Sequence, residues 1–120
     1  MPNKALVLPA NEPAYETELP DDENQQLRAL QDLVGGYIQG LALPRHVPEA
    51  IRAVAYVNDD GKHLSLPVNP FATRLMTNLM SHDHIAGTMV IAGVGTNGAT
   101  VDAPRATVDY VLAEEGDDRR

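Results

Sequence analysis

The apolar and polar positions divide the chain into short elements of two periods. Lys4-Ala5-Leu6-Val7-Leu8 is an apolar run stopped by Pro9, which predicts a strand buried on both faces. Beyond the Asn11-Glu12-Pro13 turn, Tyr15, Thr17 and Leu19 alternate with Glu16 and Glu18, the period of a half-buried strand with its carboxylates toward water. The two strands read as a hairpin. Leu27, Leu30, Leu33 and Val34 then fall at helical spacing and leave Gln26, Arg28, Gln31 and Asp32 outward. Docked on a sheet, four such side chains contribute about 1.5–3 kcal/mol each. Asp22 and Gln25 match a capping box at the helix start, and Gly35 stands where a left-handed cap ends a helix.

Tyr37 to Leu43 reads as a central strand, with Gly40 allowing close packing. After the rigid Pro44-to-Pro48 connector, Ile51 to Val57 reads as a strand, Asn58-Asp59-Asp60-Gly61 as a turn, and Lys62 to Leu66 as the return strand of a second hairpin. Asn69 and Pro70 form a helix start, followed by an apolar stripe of Phe71, Leu75, Met76, Leu79 and Met80. Thr88 to Val94 is apolar on both faces, as a buried strand is. The last element fits a helix through Val108, Val111 and Leu112, or a strand through Val108, Tyr110 and Leu112; Asp102 and Pro104 favour the helix. The expected order is β-β-α-β-β-β-α-β plus that element. It describes a small α+β domain over residues 1–113, with two main helices on a mixed, mainly antiparallel sheet and a flexible charged tail over 114–120.

Composition narrows the classes. The core must be aliphatic, since there is one Phe and no Trp. The absence of Cys excludes disulfides, thiolate metal sites and a Cys nucleophile, and fits a reducing compartment such as the cytoplasm of a bacterial host. No apolar run approaches the roughly 20 residues of a membrane span, and the N-terminus lacks a signal-like apolar segment. Seventeen acids against nine bases give a net charge of −8, and the bases form no stripe, which argues against direct nucleic-acid binding. The acids gather at Glu12, Glu16, Glu18, Asp21, Asp22 and Glu23, and again at Glu114, Glu115, Asp117 and Asp118. Asp21, Asp22 and Glu23 suit a helix start, so part of this clustering has a local cause.

Candidate chemistry is sparse. His82-x-His84 places two imidazoles on one side of an extended segment, with Asp83 or Asp102 as further metal ligands, although solvated loop histidines explain the pair as well. Asn69, Thr73 and Arg74 could present an amide, a hydroxyl and a guanidinium to an anion, alongside the Gly35-Gly36 turn. One glycine suffices for a cap; a second implies close backbone approach or a ligand. His46 and His63 read as surface residues. Ser65 and Ser81 have no triad pattern, Gly93-x-Gly95 precedes no phosphate-binding helix, and no cofactor is implied.

Three blocks carry a resemblance. They are Ala5-to-Ala10 with Tyr15-to-Leu19; Leu27 to Ile38 with its core Leu30-Gln31-Asp32-Leu33-Val34-Gly35-Gly36-Tyr37-Ile38; and Val57-Asn58-Asp59-Asp60-Gly61-Lys62 leading to Leu66-Pro67-Val68-Asn69. At this spacing the chain resembles, over about residues 4 to 95, the domain-of-unknown-function family 3846 of bacteria, plasmids and phages, especially those of actinobacteria. The resemblance implies a small accessory protein of a mobile element and brings no catalytic residues with it.

These features favour a non-catalytic protein-interaction module that binds a host or phage protein through Glu16 and Glu18 or an exposed sheet edge, with nucleic-acid mimicry as a special case. The alternative is a binder of small anions or nucleotides through the Leu66-to-Arg74 segment and Gly35-Gly36. Acid–base chemistry at His82 and His84 ranks third. A homo-oligomer stays open.

Overall fold

Two continuous apolar runs, Ala5 to Leu8 and Met89 to Val94, form the centre of the sheet. A computed structural model describes residues 3–80 and 82–118. Strand β1 (Asn3–Leu8) sends Leu6 and Leu8 to one face and Ala5 and Val7 to the other, all buried. It lies between β2 (Tyr15–Leu19) and β5 (Met89–Val94), antiparallel to both, and β5 is likewise covered on both sides. Strands β3 (Ile38–Leu41) and β4 (Ala53–Asn58) complete the order β2-β1-β5-β4-β3, and the short β6 (Thr100–Val101) pairs with the far end of β5. Every ladder is antiparallel. The chain is a small α+β domain.

Helix α1 (Glu23–Val34) covers one face of the sheet. The Asp22 carboxylate accepts from the Gln25 N–H at 3.0 Å, and Gly35 ends the helix at φ 82°. Leu30 and Val34 bury against Ala5, Val7, Leu19, Val90 and Ala92. Helices α2 (Pro70–Leu75) and α3 (Arg105–Asp118) cover the other face, with Leu43 and Val47 packed beside them over Leu6, Leu8, Ala55, Met89 and Ile91. The result is three layers, with the sheet between helices.

Four expectations need correction. Lys62 to Leu66 is no return strand but a series of turns, closed by the Leu64 N–H to Asp60 (3.0 Å) and the Leu66 N–H to Gly61 (3.0 Å). Both edges of β4 are already taken, by β3 and β5, so the returning chain has nothing to pair with. The Tyr37-to-Leu43 strand is an edge strand, and Tyr37 is 78% exposed. Leu27 stays 43% exposed because α1 buries only Leu30 and Val34 against the sheet. The second helix ends at Leu75, one turn follows, and Met80 is exposed.

The ambiguous last element is helical and continues through the expected tail to Asp118. Glu115 is buried there, both of its carboxylate oxygens accepting the Ala14 N–H at 2.9 and 3.1 Å. Ser81, Arg119 and Arg120 lie outside the described residues.

Candidate functional site

The two ends of β4 and β5 open into two different clefts. At one end, two of the three sequence blocks that carry the family resemblance, Leu30-to-Ile38 and Asn58-to-Lys62, meet around Asn58. Its side-chain amide donates to the Val34 carbonyl (3.1 Å) while its oxygen accepts the Asp60 N–H (2.8 Å). The Asp59 N–H donates to the Tyr37 carbonyl at 2.8 Å. A Cβ on Gly36 would lie 2.9 Å from the Asn58 amide nitrogen, so the second glycine serves close approach by a side chain. Asn58, Asp59, Asp60, Lys62, His63, Asp83 and His84 then rim a cleft of about 310 Å3, with Leu41, Val57, Leu79 and Ile85 among its apolar walls. Lys62 spans the rim to Asp83; this contact, with the His84 N–H on the same carboxylate oxygen (2.8 Å), holds the Asp83 carboxyl below its ordinary value.

The residues expected to hold an anion are not gathered there. Asn69 is buried and fully engaged: its oxygen accepts the Ala72 N–H (3.1 Å), and its amide donates to the Leu8 (2.8 Å) and Gly87 (3.0 Å) carbonyls. Thr73 Oγ1 donates to the Asn69 carbonyl (2.8 Å) and accepts the Ile85 N–H (2.9 Å). Thr73 ties the start of α2 to the loop after it, and Asn69 ties both to β1. Arg74 lines a separate cleft and pairs with Asp118. Gly35 and Gly36 touch the polar cleft only through Asn58.

His82 is exposed at φ 69°, and His84 is half-buried in the polar cleft. Asp102 lines the cleft at the other end of the sheet, so it does not join them. Among the described residues no three His, Asp or Glu side chains are placed to hold a metal ion. No helix among them is long and apolar enough to cross a membrane.

The cleft at the opposite end is larger, about 730 Å3, and sequence patterning did not point to it. Ile51, on a 3-10 turn (Ala50–Arg52) just before β4, stands 94% exposed at its side, facing Val94, Val101 and Pro104. Glu49 enters the turn at φ 58°, a left-handed conformation that costs a side-chain-bearing residue about 1 kcal/mol or more. Around these apolar groups stand Arg52, which meets the Glu49 carboxylate at 3.5 Å, Asp102 and Arg105. Arg105 reaches Glu16 on β2 (2.9 Å) and Asp109 (3.0 Å), and these partners raise its pKa further. Glu16 therefore meets this cleft only through Arg105 and lines a smaller neighbouring one, whereas Glu18 stands opposite Lys4 on the exposed edge strand. The legible signal was an Ile between Glu49 and Arg52, three residues after Pro48, at the start of the expected Ile51-to-Val57 strand.

No curated protein and no solved structure matches the chain. A family model matches residues 3–115, nearly the whole of the three-layer fold, and the chain accordingly belongs to the family described as Domain of unknown function (DUF3846).

Proposed function

We propose that this protein is a non-catalytic interaction module, a small accessory protein of the phage or plasmid kind, whose contact surface is the Ile51 cleft with its border of Arg52, Asp102 and Arg105, the last paired with Glu16. The observation that carries the reading is Ile51. A large aliphatic side chain held almost wholly in water, on a turn whose backbone is strained at Glu49, contributes nothing to this chain's own core. The matching partner is a protein segment that presents one large apolar side chain to Val94, Val101 and Pro104, with charges of both signs beside it. In keeping with the family resemblance, that partner belongs to the bacterial host or to the mobile element, and the encounter takes place in the cytoplasm.

Burying Ile51 on binding is worth about 1.5–3 kcal/mol, or roughly tenfold to a hundredfold in affinity. A photo-crosslinking residue placed at position 52 identifies the partner, and its affinity is then measured for the wild type, Ile51→Asp and Tyr37→Asp. Ile51 touches no core, so the first variant folds. The expected result is loss of binding in Ile51→Asp alone. Equal affinity for all three proteins, or no saturable partner, overturns the proposal.

A second reading rests on the polar cleft. Its apolar walls and rim of Lys62, His63, His84 and three aspartates suit a small polar ligand. Thermal-shift screening with nucleotides, phosphates and amino acids tests it, and stabilisation lost in Asn58→Ala supports it; no stabilisation by any of them removes it.

A further inference from the structure

The two outer strands of the sheet are guarded differently. Strand β2 carries Glu16 and Glu18, charges that discourage another strand from adding to it. Strand β3, Ile38-Gln39-Gly40-Leu41, has no charge and no proline, and its pairing with β4 contains no bulge. The Asp59 N–H bonds the Tyr37 carbonyl straight across the ladder. Bonded pairs therefore fall at Tyr37, Gln39 and Leu41, and the N–H and C=O groups of Ile38 and Gly40 turn away from β4. Among the described residues no other group bonds them. The next outward carbonyl, that of Ala42, is already closed by the Asn78 side-chain amide at 2.9 Å.

Exposed apolar side chains stand at both ends of this short edge. Tyr37, 78% exposed, precedes the strand. Met80, 82% exposed, belongs to the loop that Asn78 ties to Ala42 at the other end, where Leu79 and Leu41 both line the polar cleft. Between them Gly40 leaves a gap over the half-buried Val54 and Tyr56, on the face that also holds Ile38. A two-fold axis through the middle of the edge exchanges its ends, so it brings each Tyr37 to the Met80 loop of the other copy.

We infer that β3 pairs antiparallel with β3 of a second copy of this chain, about a two-fold axis at Gln39. In this register Ile38 faces Gly40 of the second copy, each such pair exchanges two hydrogen bonds, and every open N–H and C=O of the edge is used. A shift of two residues is worse in either direction. It sets Gly40 opposite Gly36, whose N–H is already bonded to Gln31, or Ile38 opposite the capped Ala42. Ile38 of the second copy fills the gap at Gly40, and its Tyr37 stands opposite Leu41 with Met80 beside it. Because Gln39 and Leu41 line the polar cleft, that tyrosine adds an aromatic wall which one copy alone lacks. The contact is short, so the dimer belongs to the weak, reversible class.

The test is sedimentation velocity of the full chain from about 10 μM to about 1 mM, with amide exchange followed by NMR over the same range. The mass is expected to rise from 13.0 kDa toward twice that value, the Ile38 and Gly40 amides slowing as it does. The chain has no Cys, so mild oxidation of Gln39→Cys, a position that faces itself across the axis, is expected to give an intermolecular disulfide, and of Glu18→Cys on β2 it is not. Tyr37→Asp and Gln39→Lys change exposed positions and enter the dimer twice, so each weakens it by about tenfold or more. A monomer at every concentration overturns the inference and leaves the edge to a foreign strand. A dimer unaltered by both variants, or crosslinking through Glu18→Cys in preference to Gln39→Cys, overturns it as well. Ile51 precedes β4 at the end away from Tyr37, so Ile51→Asp leaves the dimer intact, and this inference and the proposed interaction surface succeed or fail separately.

Discussion

Gly93 is the position at which the smallest covalent change should do the most damage. It lies in β5 opposite Val101, where β6 joins the sheet. A methyl group at Gly93 would sit 2.0 Å from the Asp102 carbonyl oxygen and 2.9 Å from that of Val101. Ordinary contact begins at 3.4 Å, so the Asp102 carbonyl must retreat by about 1.4 Å, and it is backbone with no rotamer to escape into. The same few residues hold β1: the Lys4 N–H donates to the Asp102 carboxylate (2.7 Å) and the Ala103 N–H to the Lys4 carbonyl (2.8 Å). Overpacking costs about 1–3 kcal/mol. Losing both hydrogen bonds adds about 0.5–1.5 kcal/mol each. Gly93→Ala therefore destabilises by about 2–6 kcal/mol, a large share of the roughly 5–15 kcal/mol that holds a domain folded. Urea unfolding followed by circular dichroism measures it, with Gly116→Ala as control. Gly116 is helical with nothing within 4 Å of an added Cβ, and that variant should gain about 1 kcal/mol. A Gly93→Ala midpoint within about 0.5 kcal/mol of wild type would refute the close approach of β6 to β5 on which the reasoning stands.

Three further outcomes are expected. Gly36→Ala costs about 1–2 kcal/mol because its methyl group displaces the Asn58 amide, and a double-mutant cycle shows that cost shrinking when Asn58 is already Ala; additive losses would separate the two residues. Asn69→Ala strips partners from the Leu8 and Gly87 carbonyls and from the Ala72 N–H, at about 3–5 kcal/mol by thermal unfolding, and a loss under about 1 kcal/mol would contradict its role as a staple. Because the folded protein lowers the Asp83 pKa, the Lys62–Asp83 contact is intact above the ordinary carboxylate range and is lost as pH falls through the lowered value. Lys62→Gln should move the Asp83 titration, followed by carboxyl NMR, back up toward its ordinary position; an unmoved curve would show that Lys62 is not the cause.

What was legible in the chain was local. Asp22, Gly35 and Asn69 were readable because a cap is a relation among residues within a turn of one another, and each stands as its chemistry predicts. The Glu16/Glu18 alternation was readable for the same reason. The Lys62-to-Leu66 segment failed because a strand needs a free neighbour, and β5, some thirty residues later, occupies that side of β4. Tyr37 and Ile51 looked like sheet residues by type, yet their exposure depends on which strands lie at the edge and on where the 3-10 turn lifts the chain away. The candidate clefts were least legible of all. The Ile51 cleft draws on residues from 49 to 106, and the polar cleft on residues from 39 to 86. Gly36 was the exception: its redundancy as a cap pointed to a close neighbour before that neighbour, Asn58, could be named.

The central position of β1 governs how the protein can be made. The first strand of the domain has to wait for a late partner, since one edge of β1 stays unpaired until Met89 to Val94 has been synthesised. The Lys4 and Ala14 amides wait longer still, for groups 98 and 101 residues downstream. Such long loop closures slow folding, and an early hairpin with an open apolar edge is prone to pair with its own kind. Folding of the domain is therefore expected to wait until α3 has been made, and a chain interrupted before β5 is predicted to aggregate rather than to persist as a partial domain.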